Sequence, residues 1–433
     1  MKATPPAQAS QFFRTLEKTE RLSFEKLQAY KFKLLSKAVA HARDHVEAQR
    51  DRLAPLIDGA GNLDLDLFCA LPPMTKDGLR AGGQAWFAHD TPEQLKPLAW
   101  SATSGTTAEP ILIAKTKIAQ MVSSVLNERQ SAWHRLNLSS THGIIRHFAK
   151  GKADYPEGIR GRGWSMFDPS GALLQVSVHT PVERLMTWIH DNEIRYLTTY
   201  PSVATGLAQQ ANGYALDAVL TFGEPLSQDQ RGRIAEAFSC PVIDAYTANE
   251  TGFIAIDCPE AEGYHIQAET VYVELVDSRG SPVKPGERGS VLVTPFYNTV
   301  MPLIRYELGD HAEMLDEPCP CGRTLPRLRS IAGRGRQLFR FPDGSTRWPN
   351  INSGELTKIV PLSQFQVVQT ALGTVEFRYV PKQPGDRFNE EAVTALIRRD
   401  LYPELIVHFV AVADVERTEA GKLERYISLI TGS

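Results

Sequence analysis

Between Ser101 and Pro110 the chain reads SATSGTTAEP, which sets Ser104, Gly105, Thr106 and Thr107 in a row. With a helix to follow near Lys117, their hydroxyls and backbone N–H groups could converge on a phosphate. The stretch is not a Walker A loop, because no GxxxxGK[ST] occurs in the chain. A second constellation is Cys258-x6-His265 together with Cys319-Pro-Cys321. Three thiols and one imidazole from two loops match a structural zinc set, closed by four ligands and therefore non-catalytic. Left unligated, the same residues would be small hydrophobes and a surface histidine. Cys69 and Cys240 lie in apolar stretches and read as core residues. No His, Asn or Asp pattern supports a catalytic cysteine, and no GxSxG elbow supports a hydrolase.

These residues need elements to hold them. A helix is predicted to open at Ser23, an N-cap, with Leu27, Tyr30, Leu34, Ala38 and Ala42 on its buried face. Another spans Lys117 to Trp133, with Ile118, Val122, Val125 and Ala132 as its apolar stripe. From Thr180 the pattern becomes regular. Thr180-Pro181-Val182-Glu183 reads as a capping box opening a helix to His190. There follow a strand over 196–200, a helix from Pro201, a strand over 218–222, a helix over 226–238 and a strand over 242–246. Strands separated by helices predict βαβ crossovers and a parallel sheet. VYVELVD at 271–277 and SVLVTP at 290–295 predict a hairpin added to it. GRGRQLFRFPDGSTRWP, from Gly333, reads as a hinge or linker, and the segments beyond it, with a helix capped near Asn389, form a compact α+β unit. The expected fold is α/β, with a large body of parallel and mixed sheets over residues 1–333 and a small α+β lid over 334–433.

Composition limits the function classes. The chain has 433 residues, 42% hydrophobic and 22% charged, with a formal net charge of -3. That balance predicts an ordinary globular protein of two or three domains and gives no basic face for nucleic acid. Five cysteines are too few to staple such a length. The N-terminus lacks the apolar core of a secretory signal and no long apolar run crosses a membrane, so a cytoplasmic protein is expected.

Several blocks occur in a fixed order: LPPMTKDGL at 71–79, Ala102 to Pro110, YPSVATGLA at 200–208, TFGEPLS at 221–227, AYTANETG at 245–252, MPLIRYELGD at 301–310, SIAGR at 330–334 and EAGKLERY at 419–426. Together they resemble the adenylate-forming superfamily, in its phenylacetate-CoA ligase and capsule-protein-K-like subgroup. The resemblance covers nearly the whole chain. It implies activation of a carboxylic acid, aromatic or a related small acid, by ATP to an acyl-adenylate, then transfer to coenzyme A. On it, Ser104, Gly105, Thr106 and Thr107 would cradle the β and γ phosphates. Glu250 would hold magnesium, Asp310 would accept from the ribose hydroxyls and Tyr246 would stack on adenine. Gly223, Glu224 and Pro225 would shape the base pocket, with Ala245, Asn249 and Arg334 in the remaining nucleotide blocks. Lys422 would reach in from the lid to stabilise developing charge, making Lys422, Glu250 and Thr106 the catalytic set.

Taken singly, Asp310 and Lys422 are ordinary turn residues and Tyr246 an ordinary core residue. The chain also departs from the family pattern. Asn249 replaces a hydroxyl residue, Glu109 puts a carboxylate in the phosphate loop, and Gln337 stands where the hinge aspartate is expected. An acyl-adenylate could alternatively pass to an amine, an alcohol or a carrier-protein thiol. A non-catalytic protein that binds nucleotide or acyl ligand is the reading of a different class. Beyond the acid and its acceptor, the one partner left open is a second copy in a homodimer.

Overall fold

The structure, a computed structural model, describes residues 7–96, 98–102, 111–334, 338–347, 349, 351, 353–383, 386–415, 417–418 and 422–430. By internal contacts the chain divides into two units: Met1–Ser140, Gly161–Leu173 and Asp244–Ile331 form one, and Thr141–Arg160, Leu174–Ile243 and Ala332–Ser433 the other. Among the described residues no helix is long and apolar enough to cross a membrane.

The first unit is built on strands in the order Val271–Val276, Arg288–Pro295, Tyr306–Leu315, Arg327–Arg334, Tyr264–Ile266, Gly252–Asp257 and Val242–Ala248. The first two form the expected hairpin, with Val273 opposite Val293. Their inner faces, including Ile254, Ile256, Val291 and Leu328, bury against Leu27, Leu35 and Val39 of the helix Phe24–His45. That helix opens as expected, the Ser23 hydroxyl accepting from the Lys26 N–H, while Tyr30 and Leu34 are only half-buried.

The helix Lys117–Trp133 has the expected ends, capped by Thr116. Its buried face differs from expectation: Ile118 and Ala132 are exposed, whereas Glu128, Arg129 and Gln130 are buried. The reason is polar. Arg129 Nη2 donates to Glu269 Oε1 at 2.7 Å and to the Leu16 carbonyl at 2.9 Å, and Nη1 donates to Gln267 Oε1 at 2.8 Å. The Thr19 hydroxyl donates to the same Glu269 oxygen at 2.8 Å. Leu16 and Thr19 belong to Ala7–Thr19, a helix that the sequence pattern did not announce.

In the second unit the strands His142–Arg146, Tyr196–Thr199 and Ala218–Phe222 run parallel, with Gly143, Leu197 and Val219 in register. The helices Val182–Asp191 and Pro201–Ala208 make the crossovers. Trp188, Leu197, Val219, Ile234 and Phe238 fill the core between sheet and helices. The Thr180 capping box does not form. Pro181 is the N-cap and has no side-chain acceptor to offer, and the Thr180 N–H that a capping box would give to the Glu183 side chain donates instead to the Ser177 carbonyl. A capping box occurs instead at Ser227 and Gln230, which starts the next helix at Gln228.

The linker reading of residues 333–349 is corrected in part; Gly335–Gln337 and Trp348 lie outside the described residues. Phe339–Arg340 pairs with Thr346–Arg347, and Phe339 and Phe341, one strand period apart, are buried with Val367, Phe377, Val393 and Ile397. They are core. The four strands there run in the order Ile406–Ala411, Thr374–Pro381, Leu362–Ala371, Tyr426–Ser428, with the helix Glu390–Asp400 capped by Asn389 as expected.

Arg129→Ala leaves the Glu269 carboxylate, which is 0% exposed, without its cation. The expected loss is about 3–5 kcal/mol, read as a lowered urea midpoint; an unchanged midpoint would show that the network stabilises nothing.

Candidate active site

Within the first unit, two of the family blocks are stitched by backbone. The Met74 N–H donates to the Arg305 carbonyl and the Glu307 N–H to the Met74 carbonyl, both at 2.9 Å. This sets Lys76, two residues on, with its ammonium 3.9 Å from Glu250 Oε1. The Tyr306 hydroxyl lies 3.5 Å from the same oxygen. Glu250 itself is buried, at the end of a turn that joins the strands Val242–Ala248 and Gly252–Asp257. Lys115 is a further cation there. Burial pushes its amine below the ordinary lysine range, and the Glu250 carboxylate pulls it back up.

On the strand before that turn, Ala245 pairs with Ile256 inside the ladder and is buried. The Tyr246 hydroxyl donates to Asp310 Oδ2 at 2.8 Å, so the aromatic ring and the carboxylate are fixed to one another. Asn249 is exposed on the same turn. The first unit therefore holds Tyr246, Asn249, Glu250 and Asp310, with Tyr246 joined directly to Asp310. Ser104, Gly105, Thr106, Thr107, Glu109 and Gln337 lie outside the described residues, and Arg334 ends its strand.

Within the second unit, Gly223, Glu224 and Pro225 follow the strand Ala218–Phe222. Gly223 has φ +77, and a Cβ there would lie 3.3 Å from Lys422 Nζ and 3.5 Å from Tyr200 Cε1. Lys422 thus approaches a bare backbone turn that only glycine leaves open. The Glu224 carboxylate accepts from the Ser202 N–H at 2.9 Å and the Ser202 hydroxyl at 3.0 Å. Nearby, the Tyr200 and Phe222 rings are 5.0 Å apart, and His147 Nδ1 lies 2.9 Å from His179 Nε2. His147 lies just beyond the strand His142–Arg146.

The Cys/His set comes together in the first unit. Cys258, His265, Cys319 and Cys321 are all buried, with their ligand atoms within 4.8 Å of one another. Cys258 Sγ is 3.5 Å from Cys319 Sγ, and Cys321 Sγ is 3.3 Å from His265 Nε2. His265 Nδ1 lies 3.3 Å from the Leu325 carbonyl, which holds the proton there and leaves Nε2 as the lone-pair donor facing the thiols. Burial pushes His265 down to about 4, so the ring is neutral at pH 7. The histidine is not on the surface, as the unligated reading required. These donors fit one tetrahedral zinc ion. Cys240 is buried in the second unit's core and Cys69 is partly buried beside Phe68, in keeping with plain packing.

No protein-family model matches the chain. It is 26% identical over 450 residues to a phenylacetate-coenzyme A ligase of Thermus thermophilus, covering 95% of this chain and 98% of that one. Protein CapK of Staphylococcus aureus is 28% identical over 242 residues, 52% of this chain and 51% of that one. Among solved structures, 2-hydroxyisobutyryl-CoA ligase in the postadenylation state superposes with a TM-score of 0.76 at 19% identity, over 95% of this chain and 91% of that chain.

The chain is similar over nearly its whole length to phenylacetate-coenzyme A ligases, and its fold is the one that adenylate-forming enzymes have.

The sequence reading missed several side chains around its predicted site. Lys76, Lys115 and Tyr306 surround Glu250, and Ser202 touches Glu224. Three of these lay in blocks that carried the resemblance: Lys76 in LPPMTKDGL, Ser202 in YPSVATGLA and Tyr306 in MPLIRYELGD. Lys115 carried no signal, since its role depends on burial.

The turn that presents Glu250 depends on Gly252, whose φ is +82 and where a Cβ would stand 2.7 Å from the Ser123 hydroxyl oxygen. Gly252→Ala is expected to cost about 1–3 kcal/mol in urea unfolding. Adding Ser123→Ala should recover only the steric part, because the left-handed backbone remains; full recovery would show that φ carries no strain here.

Proposed function

We propose that this adenylate-forming protein activates a small carboxylic acid, aromatic or related, with ATP and then transfers the acyl group to coenzyme A. The observation that carries the reading is the placement of Lys422 against the Gly223 turn, in a chain similar over 95% of its length to a phenylacetate-coenzyme A ligase. The relative 2-hydroxyisobutyryl-CoA ligase has been seen with an acyl-adenylate in a postadenylation state and with coenzyme A in a thioesterification state, which supports the same order of steps. In this reading the body is residues 1–333, the lid is 334–433, and the protein works in the cytoplasm.

In the first step a carboxylate oxygen of the acid attacks the α-phosphorus of ATP. The bond to the bridging oxygen breaks, and pyrophosphate leaves with that electron pair. In-line displacement of this kind needs positioning and charge neutralisation more than covalent chemistry. Asp310, fixed by the Tyr246 hydroxyl at 2.8 Å, would accept from the ribose hydroxyls. Ser104, Gly105, Thr106 and Thr107 would hold the β and γ phosphates. Glu250 would hold magnesium, which takes one or two carboxylates plus phosphate oxygens and would supply charge neutralisation there. A single buried carboxylate suits that need, with the Lys76 ammonium 3.9 Å away. Lys422 would face the charge that grows on the transferred group. In the second step the coenzyme A thiol gives up its proton to solvent and its sulfur attacks the acyl carbon; the bond from that carbon to the phosphate-linked oxygen breaks, and AMP leaves with that oxygen and the electron pair.

Pyrophosphate release from ATP and magnesium across aromatic, heteroaromatic and aliphatic acids tests the first step, with hydroxylamine trapping the acyl-adenylate. One class of acid should give release, reduced about 10²- to 10³-fold in Lys422→Ala. Coenzyme A should then yield the thioester. An amine, alcohol or carrier thiol consumed in its place would replace the second step. ATP binding with no release for any acid would replace both, in favour of a non-catalytic ligand-binding protein.

The same proposal includes one structural zinc held by Cys258, His265, Cys319 and Cys321, clipping the segment after Glu250 to the one after Asp310. Elemental analysis should find one zinc per chain, absent from Cys319→Ser/Cys321→Ser, with a lower thermal midpoint in that variant. Metal-free protein with an unchanged midpoint would overturn the assignment.

A further inference from the structure

Glu224 is expected from sequence to shape a base pocket, yet its carboxylate is occupied with protein. Oε2 accepts from the Ser202 N–H at 2.9 Å and Oε1 from the Ser202 hydroxyl at 3.0 Å, so one carboxylate caps the helix Pro201–Ala208. The same Oε1 also accepts from the Leu423 N–H at 2.8 Å. Leu423 is the neighbour of Lys422.

The loop that carries Lys422 is closed on itself. The Thr418 N–H donates to the Lys422 carbonyl at 2.9 Å, the Lys422 N–H donates to the Thr418 hydroxyl at 3.2 Å, and Arg417 bridges to Leu423. The two residues of that bridge are the ones tied down. Leu423 is held by Glu224, and Arg417 Nη1 donates to the Ser202 hydroxyl at 3.3 Å. Lys422 pairs with Thr418 directly beside that bridge, so fixing Arg417 and Leu423 leaves its backbone little freedom to swing. Its ammonium lies beside Gly223.

We infer that Glu224 is a positioning residue for adenylation: it latches the segment that carries Lys422 onto the Ser202 helix start. The inference rests on the two-step reading above. A negative acceptor on a backbone N–H is stronger than a neutral one, and its loss shifts an equilibrium about ten- to hundredfold. Glu224 is therefore expected to matter for the step that needs Lys422 in place. The thioester-forming step, which starts from preformed acyl-adenylate, should be spared.

The test compares wild type, Glu224→Ala and Glu224→Gln. Hydrogen exchange by mass spectrometry follows the peptide holding Leu423, which needs no substrate. Pyrophosphate release and thioester formation from synthetic acyl-adenylate are assayed separately. In Glu224→Ala, exchange at Leu423 should speed up about ten- to hundredfold and pyrophosphate release should fall by a similar factor, with thioester formation within about twofold of wild type. Glu224→Gln, which keeps an acceptor but loses the charge, should lie between, and it serves if the alanine variant does not fold. Unchanged exchange at Leu423 overturns the latch. An equal fall in both half-reactions also overturns it, because the carboxylate then holds the fold and not the loop. If wild type releases no pyrophosphate with any acid, the two-step reading fails while the exchange result still decides whether Glu224 holds the loop.

Discussion

Arg129 has almost no access to water, and a guanidinium so placed must find an acceptor for each N–H it can. It finds them on Glu269, Gln267 and the Leu16 carbonyl. That requirement joins three stretches of the first unit that are far apart in sequence. Gln267 in turn donates to the His265 carbonyl at 2.8 Å, and Trp133, one turn beyond Arg129, packs edge-on to the His265 ring. The helix Lys117–Trp133 and the Cys/His cluster are therefore positioned by one buried charge.

The carboxylates of this protein differ in duty because they differ in company. Glu128 accepts from the Ser165 hydroxyl at 2.7 Å and from the Met166 N–H, and its burial raises its pKa; it fastens a segment to the helix Lys117–Trp133. Glu274 is buried against Arg305, whose backbone is left-handed at φ +53, and the pair holds the segment leading into Asp310. Glu250 and Asp310 meet a lysine and a tyrosine respectively, partners that orient them. The same chemical group thus holds different parts of the fold according to the N–H and O–H donors that surround it.

Much of this was legible. The βαβ pattern gave the parallel strands of the second unit because apolar runs separated by helical periods leave few other arrangements. The ends of Lys117–Trp133 followed from an apolar period of which Val122 and Val125 are buried, and the Cys/His set followed from residue types and spacing that suit a metal. What misled was local. Thr180 looked like a cap but was taken up by a turn, and Arg and Gly around Phe339 suggested a linker although the phenylalanines alternate into a core. The buried polar face of Lys117–Trp133 could not be foreseen, because its partners Leu16, Thr19, Gln267 and Glu269 are distant in sequence and carry no shared pattern.

By itself the sequence determined which residues could do chemistry and in what order along the chain they occur, since residue type and spacing are local properties. It also determined most element boundaries, which depend on caps and periods. Only the tertiary structure decided which side chains face each other: Lys76 beside Glu250, the Tyr246 hydroxyl on Asp310, His265 inside the thiol cluster, and Glu224 gripping the Lys422 loop. Those pairings depend on the burial of charge and hydrogen-bonding capacity, which no stretch of chain can satisfy alone.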